Sequence, residues 1–541
     1  MLGLLSIFGG CSRARPLHLD LARDVQRPQH SVVIFFVDGM DRTRLGELLD
    51  QGHLPNIERR FVEGGVAVAH AVASLPPITY ANTVSFLTGC FPGHHGILGN
   101  RWFDRHTLEY RDYGSATTFR TVNGHFRQAT LYELLPDHFT VSNQCHTFRG
   151  ATYAVDSRHR SGVDWLIGNY IGVDRRVALL VERVGAVANR VKRWPSVLLN
   201  YFPGVDEIGH RRGSASARYR ESLVNADAQI GRIMNALDAA GLARDTLFVL
   251  FSDHGHVTLD RHRVIEAADW LSRRGLRVHA GPVAGSDYAA RYRRLEPFDA
   301  VVVAGAPRRL AIHLRGAADW SARPTRDVVR RILQPLDSAH GGDALEQLPG
   351  VALVCAREGS DRIRIRSRNG GALVERRVRA GTSEYRLEYL QENSEAPEPA
   401  SDPLGYRQPA ELAAFVESGW HGSREWLDRT AATRFPDFVP QIVEMFDSPR
   451  AGDVVAFAAD DWGFEEGHAG GHGSALACDM LIPLYFAGPG LPRGATLDAA
   501  RAVDVLPTLL EFLGELDRLE RSGPIDGVSL WPALRSAKGG S

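Results

Sequence analysis

Lysine is almost missing from this chain: Lys192 and Lys538 are the only two in 541 residues, and arginine carries the rest of the positive charge. That bias follows genome composition and points to no function. Cysteine is scarce too, five residues in all. Cys90, Cys145, Cys355 and Cys478 have spacings that suit neither a zinc finger nor a disulfide framework. Net charge is also lacking, and a formal value of −1 provides no global field for a nucleic-acid polymer or an anionic membrane. What remains is a globular composition, 44% hydrophobic and 23% charged, which excludes a disordered chain. The length suits one large α/β domain with a sizeable insertion, or two to three ordinary domains.

The first residues, MLGLLSIFGGC, form an apolar run the length of a signal-peptide core, far short of the roughly 20 residues of a membrane span. Gly9-Gly10-Cys11 resembles a bacterial lipobox, although no Lys or Arg precedes the run. The expectation is export to the periplasm or envelope, with Cys11 as a lipid anchor and residues 1–30 as leader and linker.

SVVIFFVDG, from Ser31, is an apolar run rich in β-branched and aromatic residues, the pattern of a strand buried on both faces. VLLNYFPGVD, from Val197, and LFVLFSDHG, from Leu247, share it. Leu223, Ile230, Ile233 and Leu237 recur between them at helical spacing. Strands alternating with amphipathic helices predict a doubly wound, mostly parallel α/β sheet flanked by helices, with ligands at the strand C-terminal ends. From Val257 to Arg450 the pattern breaks. Charged and apolar residues alternate about Asn369-Gly370, a hairpin signal, and an acidic, proline-rich stretch from Glu392 reads as a solvated loop. The division expected is a catalytic core over 31–256, an insertion or cap over 257–450, and the rest of the core over 451–541.

Each apolar run ends in a loop that carries an aspartate. Asp38 precedes Gly39, which permits a sharp turn. Asp206 and His210 lie four apart, on one face of a helix, so both reach one ion. Asp253 and His254 adjoin at a strand end, and His472 stands between glycines in GGHGS. In LPPITYANTVSFLTG, Thr79 falls at the start of a short helix, where N–H groups and the dipole favour an anion. A threonine hydroxyl is a poor nucleophile unless a bound metal holds it as an alkoxide. Taken singly, each feature has a bland explanation as a cap or an exposed side chain. Their joint occurrence in this order is specific.

That set resembles the alkaline phosphatase superfamily, and within it the nucleotide pyrophosphatase/phosphodiesterase family. The resemblance covers about Ser31–His256 and Gly467–Leu534, and includes a late DGxSLxP pattern at Asp526–Pro532. It implies an alkaline phosphatase-like fold and a phosphoric ester hydrolase with two divalent ions, zinc by ligand type. Asp206, His210 and His472 would bind one ion. Asp38, Asp253 and His254 would bind the other, with the Thr79 oxygen as nucleophile and further ligand. Asn100, in GILGN, matches the asparagine that hydrogen-bonds a phosphoryl oxygen. The substrate implied is a small phosphodiester, such as a nucleotide, cleaved through a phosphothreonine.

Departures and near misses bear on this. Thr79-Tyr80-Ala81-Asn82 stands where relatives commonly show Thr-Phe-Pro-Asn, and Tyr80 could stack on a substrate ring. Cys90 in CFPGH resembles the sulfatase nucleophile motif, but His94 replaces its arginine. His94, His95, His256 and His468 are expected to be structural or supporting. Arg101, after Asn100, is the nearest cation for a phosphomonoester's extra charge, whereas Asn100 itself suits a diester. Phosphonate or phosphomonoester hydrolysis is the alternative enzymatic reading. A non-catalytic, metal-binding envelope protein is the alternative of another class.

Overall fold

A computed structural model describes residues 15–156, 158–335, 343–390 and 401–539. The apolar N-terminal run with Cys11, and most of the acidic stretch from Glu392, fall outside them. Ser31–Val37 is a strand buried at every residue. Val33, Phe35 and Val37 pack with helices Arg42–Asp50, Tyr170–Val191 and Ala217–Ala239. Val32, Ile34 and Phe36 pack on the opposite face with Thr79–Thr88 and Val505–Leu513. Burial on both faces explains why the run lacks polar alternation. Each such side chain contributes about 1.5–3 kcal/mol.

Val197–Phe202 and Thr246–Phe251 run parallel to this strand on either side. Thr140–Asn143 and Tyr153–Val155 extend the sheet beyond Val197–Phe202, also in parallel. On the other flank lie Leu484–Ala487, which is antiparallel, then Val66–Val72 and Ala495–Arg501, parallel to each other. The fold is thus the α/β architecture expected, with a largely parallel sheet between helices. Helix Ala217–Ala239 makes the crossover from Val197–Phe202 to Thr246–Phe251, and buries Leu223, Ile230, Ile233 and Leu237. Ser216 caps its N-terminus by accepting from Tyr219 N at 3.1 Å.

The interruption after Val257 builds a second, mostly antiparallel sheet of nine strands. Its Asn369-Gly370 hairpin joins Arg362–Ser367 to Gly370–Arg379. One of its strands, Val454–Ala458, comes from the chain after Arg450, between Arg309–Leu314 and Val351–Arg357. The turn Gly305–Arg309 presses this sheet against the first. Asn100 N donates to Gly305 O at 3.2 Å, and Arg308 N to His472 O at 3.2 Å. Among the described residues, no helix is long and apolar enough to cross a membrane.

Candidate functional site

Three adjacent parallel strands end at one edge of the main sheet, and each delivers a carboxylate there. Asp38 follows Val37, and Asp253 lies just past Phe251. Asp206 sits in helix Gly204–Arg212, which begins just after Phe202. Gly39 has φ +63°, and a Cβ on it would come within 2.7 Å of Asp206 Oδ1. Only glycine satisfies both constraints. His472 comes from far along the chain. Gly470–Gly471 pairs with Val257–Thr258, which docks its loop beside the Asp253–His254 turn.

Asp206, His210 and His472 form one cluster and Asp38, Asp253 and His254 another, each with its donor atoms mutually within 4.8 Å. The imidazoles are oriented alike. A carbonyl oxygen only accepts, so each Nδ1–H must be the donor: His210 to Gly470 O at 3.1 Å, His254 to Gly255 O at 2.9 Å, His472 to Pro77 O at 3.0 Å. That leaves every Nε2 facing the site, the orientation that metal-binding histidines adopt. Thr79 is the first residue of helix Thr79–Thr88. Its Oγ1 lies 3.1 Å from His254 Nε2, which is also 3.3 Å from Asp38 Oδ1 and 3.3 Å from Asp253 Oδ2. Asn82 ties the approach to this helix by accepting from Ser74 N at 2.7 Å and donating to Pro76 O at 3.0 Å.

The electrostatics are those of a cation site. Asp38 Oδ1, Asp206 Oδ1, Asp253 Oδ2 and His472 Nε2 are buried without a hydrogen-bond partner, which is costly for carboxylates unless a positive charge meets them. Burial, reinforced by Asp38, holds the Asp253 carboxyl well above its usual range. Burial and Asp206 raise that of Asp38. Burial opposes charge on His254 and His210, but the surrounding carboxylates push them up to about 10 and about 9. The donor set therefore fits two divalent ions of the zinc type.

Asn100 stands beside the helix start, where its Oδ1 accepts from Tyr80 N at 3.3 Å. Its amide nitrogen is thereby the end left for a ligand. Tyr80 is not a free stacking surface. Its ring packs on Tyr113 and His146, with centroids 4.7 and 4.2 Å away, and its hydroxyl donates to Tyr113 O. Arg101 is not a free cation either, since Glu465 holds it in a bidentate pair at 2.5 and 2.7 Å. Cys90 is only 2% exposed, and burial pushes its thiol up to about 12, so it is no nucleophile.

The four further histidines divide. His95 is buried against Ser85 Oγ at 3.0 Å, and His94 lies among Glu444, Asp447 and Asp526. His256 and His468 adjoin His210, with ring centroids 5.0 and 5.5 Å away. Sequence reasoning missed four residues. Tyr201 donates its hydroxyl to Asp38 Oδ2, and the signal was a phenol near the end of a buried strand. Glu465 and the buried pair Arg308–Asp479 gave no local signal.

Residues 32–326 match the family described as type I phosphodiesterase / nucleotide pyrophosphatase. An uncharacterized pyrophosphatase/phosphodiesterase of Schizosaccharomyces pombe is 24% identical over 45% of this chain and 47% of its own. Ectonucleotide pyrophosphatase/phosphodiesterase family member 3 of Mus musculus is 23% identical over 46% of this chain and 28% of its own. The match thus spans half or less of these curated relatives. The solved structure of murine ectonucleotide pyrophosphatase/phosphodiesterase 5 shares the fold, with TM-score 0.56 and 16% identity, covering 94% of this chain and all of that one.

Proposed function

Taking as premise that the chain belongs to the type I phosphodiesterase / nucleotide pyrophosphatase family, we propose that it hydrolyses small phosphodiesters, nucleotides among them, with Thr79 as nucleophile. The observation that supports this reading is the pair of candidate clusters, joined where His254 stacks on His472 with ring centroids 3.4 Å apart, with the Thr79 hydroxyl 3.1 Å from His254 Nε2. Divalent ions, zinc by ligand type, held by Asp206, His210 and His472 and by Asp38, Asp253 and His254, would neutralise the carboxylates and supply Lewis acidity toward oxygens on phosphorus. The chain's own residues do the rest. The helix start at Thr79 presents N–H groups to the phosphoryl oxygens. The Asn100 amide nitrogen donates to one of them, because its oxygen is engaged by Tyr80 N. Thr79 Oγ attacks phosphorus in line and the opposite ester oxygen leaves, forming a phosphothreonine. Water then hydrolyses that ester and restores the hydroxyl.

A diester is favoured over a monoester by Arg101, whose charge Glu465 already matches. Export through residues 1–11 and anchoring at Cys11 belong to the same reading. The test is turnover of bis-(p-nitrophenyl) phosphate against p-nitrophenyl phosphate with zinc-loaded protein. The expected result is faster diester cleavage that Thr79→Ala abolishes while zinc content stays normal. Equal activity in that variant would overturn the nucleophile.

A further inference from the structure

His256 lies two residues beyond His254 and is 1% exposed. Neither ring nitrogen closes a well-formed hydrogen bond, although the Val257 backbone lies near enough to act on the ring as a weak acceptor. A buried imidazole without a well-made hydrogen bond is disfavoured, so its retention calls for a reason. The fold makes room for it deliberately. A Cβ on Gly209 would lie 2.6 Å from His256 Nε2, and one on Gly470 would lie 2.7 Å from its Cε1. Gly209 stands inside helix Gly204–Arg212, where glycine is a weaker helix former than alanine. That helix and the His472 loop both give up a side chain to seat one ring. An idle acceptor stands close by: Asp206 Oδ1, buried and unpartnered, 3.6 Å from His256 Nε2.

We propose that His256 is a positioning residue for the Asp206 cluster: with an ion bound, its Nε2–H closes the 3.6 Å gap and donates to Asp206 Oδ1, fixing which carboxylate oxygen turns toward the ion. A neutral imidazole has one N–H and one lone pair, and the tautomer that presents N–H to a carboxylate is the attractive one. Asp206 Oδ2 already faces His210 Nε2 at 3.3 Å, so Oδ1 is the oxygen left to be held. Hydrogen bonds of this kind to ligating groups govern metal affinity by about 10- to 100-fold.

The inference rests on Asp206 being a metal ligand, so the test separates the two ideas. Zinc affinity of the full chain is measured by chelator competition for wild type, His256→Leu and His256→Gln, with melting of the zinc-free proteins as the control for folding. Gln carries an N–H near the position of Nε2. The expected result is one of two zinc ions weakened about 10- to 100-fold in His256→Leu and largely restored in His256→Gln. Unchanged affinity in His256→Leu would overturn the inference and leave the cluster intact. So would a loss in His256→Gln as large as in His256→Leu, since a direct ligand tolerates neither. A wild type that binds no zinc would instead defeat the functional reading beneath it.

Discussion

His254 and His472 lie face to face, with ring centroids 3.4 Å apart and planes within 6°, although each belongs to a different cluster of candidate metal ligands. Aromatic rings left to themselves prefer an offset or edge contact. Here the backbone imposes the stack, through Gly255 O on one ring and Pro77 O on the other. The two clusters therefore share a wall beside Thr79, and neither relaxes independently of its neighbour. Stripping divalent ions leaves Asp38, Asp206 and Asp253 crowded without compensation. Chelation is expected to abolish diester hydrolysis and lower the melting temperature, and added zinc to restore both. Ligand at 100 times its Kd stabilises by about 2.7 kcal/mol. A melting temperature indifferent to chelator and zinc alike would count against ions in these clusters.

The second prediction concerns Glu465. Its carboxylate neutralises Arg101 beside the Asn100 position, and both side chains influence His468, which adjoins His210. Glu465→Ala removes the partner and frees the guanidinium, which then has a reason to meet a monoester's additional negative oxygen. The ratio of monoester to diester kcat/KM should rise about tenfold, equivalent to about 1.4 kcal/mol. A ratio that stays fixed would mean that Arg101 does not face the substrate.

These residues also mark how much of the site is legible in the sequence. Asp38, Asp206 and Asp253 were legible because each closes an apolar run, and in a parallel sheet such runs end at one edge. The helix at Thr79 and the hairpin at Asn369-Gly370 were legible for equally local reasons. What was not legible depends on partners distant in sequence. Tyr80 looked free until Tyr113 and His146 closed on it. Val454–Ala458 reads as one more buried strand, and nothing within it says that its neighbours are Arg309–Leu314 and Val351–Arg357. Periodicity identifies a strand and its end; it does not supply the register that selects neighbours.

The third prediction is a pH dependence of stability. His94 sits between Glu444, Asp447 and Asp526, at 2.8, 3.3 and 2.7 Å. Burial opposes its charge, but the three carboxylates push its pKa up to about 12 from an ordinary 6.5. A raised folded-state pKa stabilises in full below the unfolded value, and the contribution fades as pH climbs toward the folded one. His94→Gln should therefore melt below wild type by a margin that is widest near about pH 6 and narrower near about pH 9.5. A margin that widens with pH would show that His94 is neutral in the folded protein.

The last prediction concerns how the second sheet holds the loops of His254 and His472. Arg308 and Asp479 form a pair at 2.9 Å with both side chains fully buried. Arg308 also donates to Ala459 O at 2.9 Å, while its backbone N–H meets His472 O. Asp479 in turn accepts from Ser474 N through its side chain, and from Gly255 N through its carbonyl. One ion pair thus joins the turn Gly305–Arg309 to the loops of His472 and His254. Removing either partner strands a buried charge, which costs about 3–5 kcal/mol. Arg308→Met and Asp479→Asn should each destabilise on that scale. The double variant should cost clearly less than the sum, because neither charge is then left alone. Additive losses in a denaturant-melt cycle would show that the two groups act separately, and the second sheet would then have no electrostatic hold on the site.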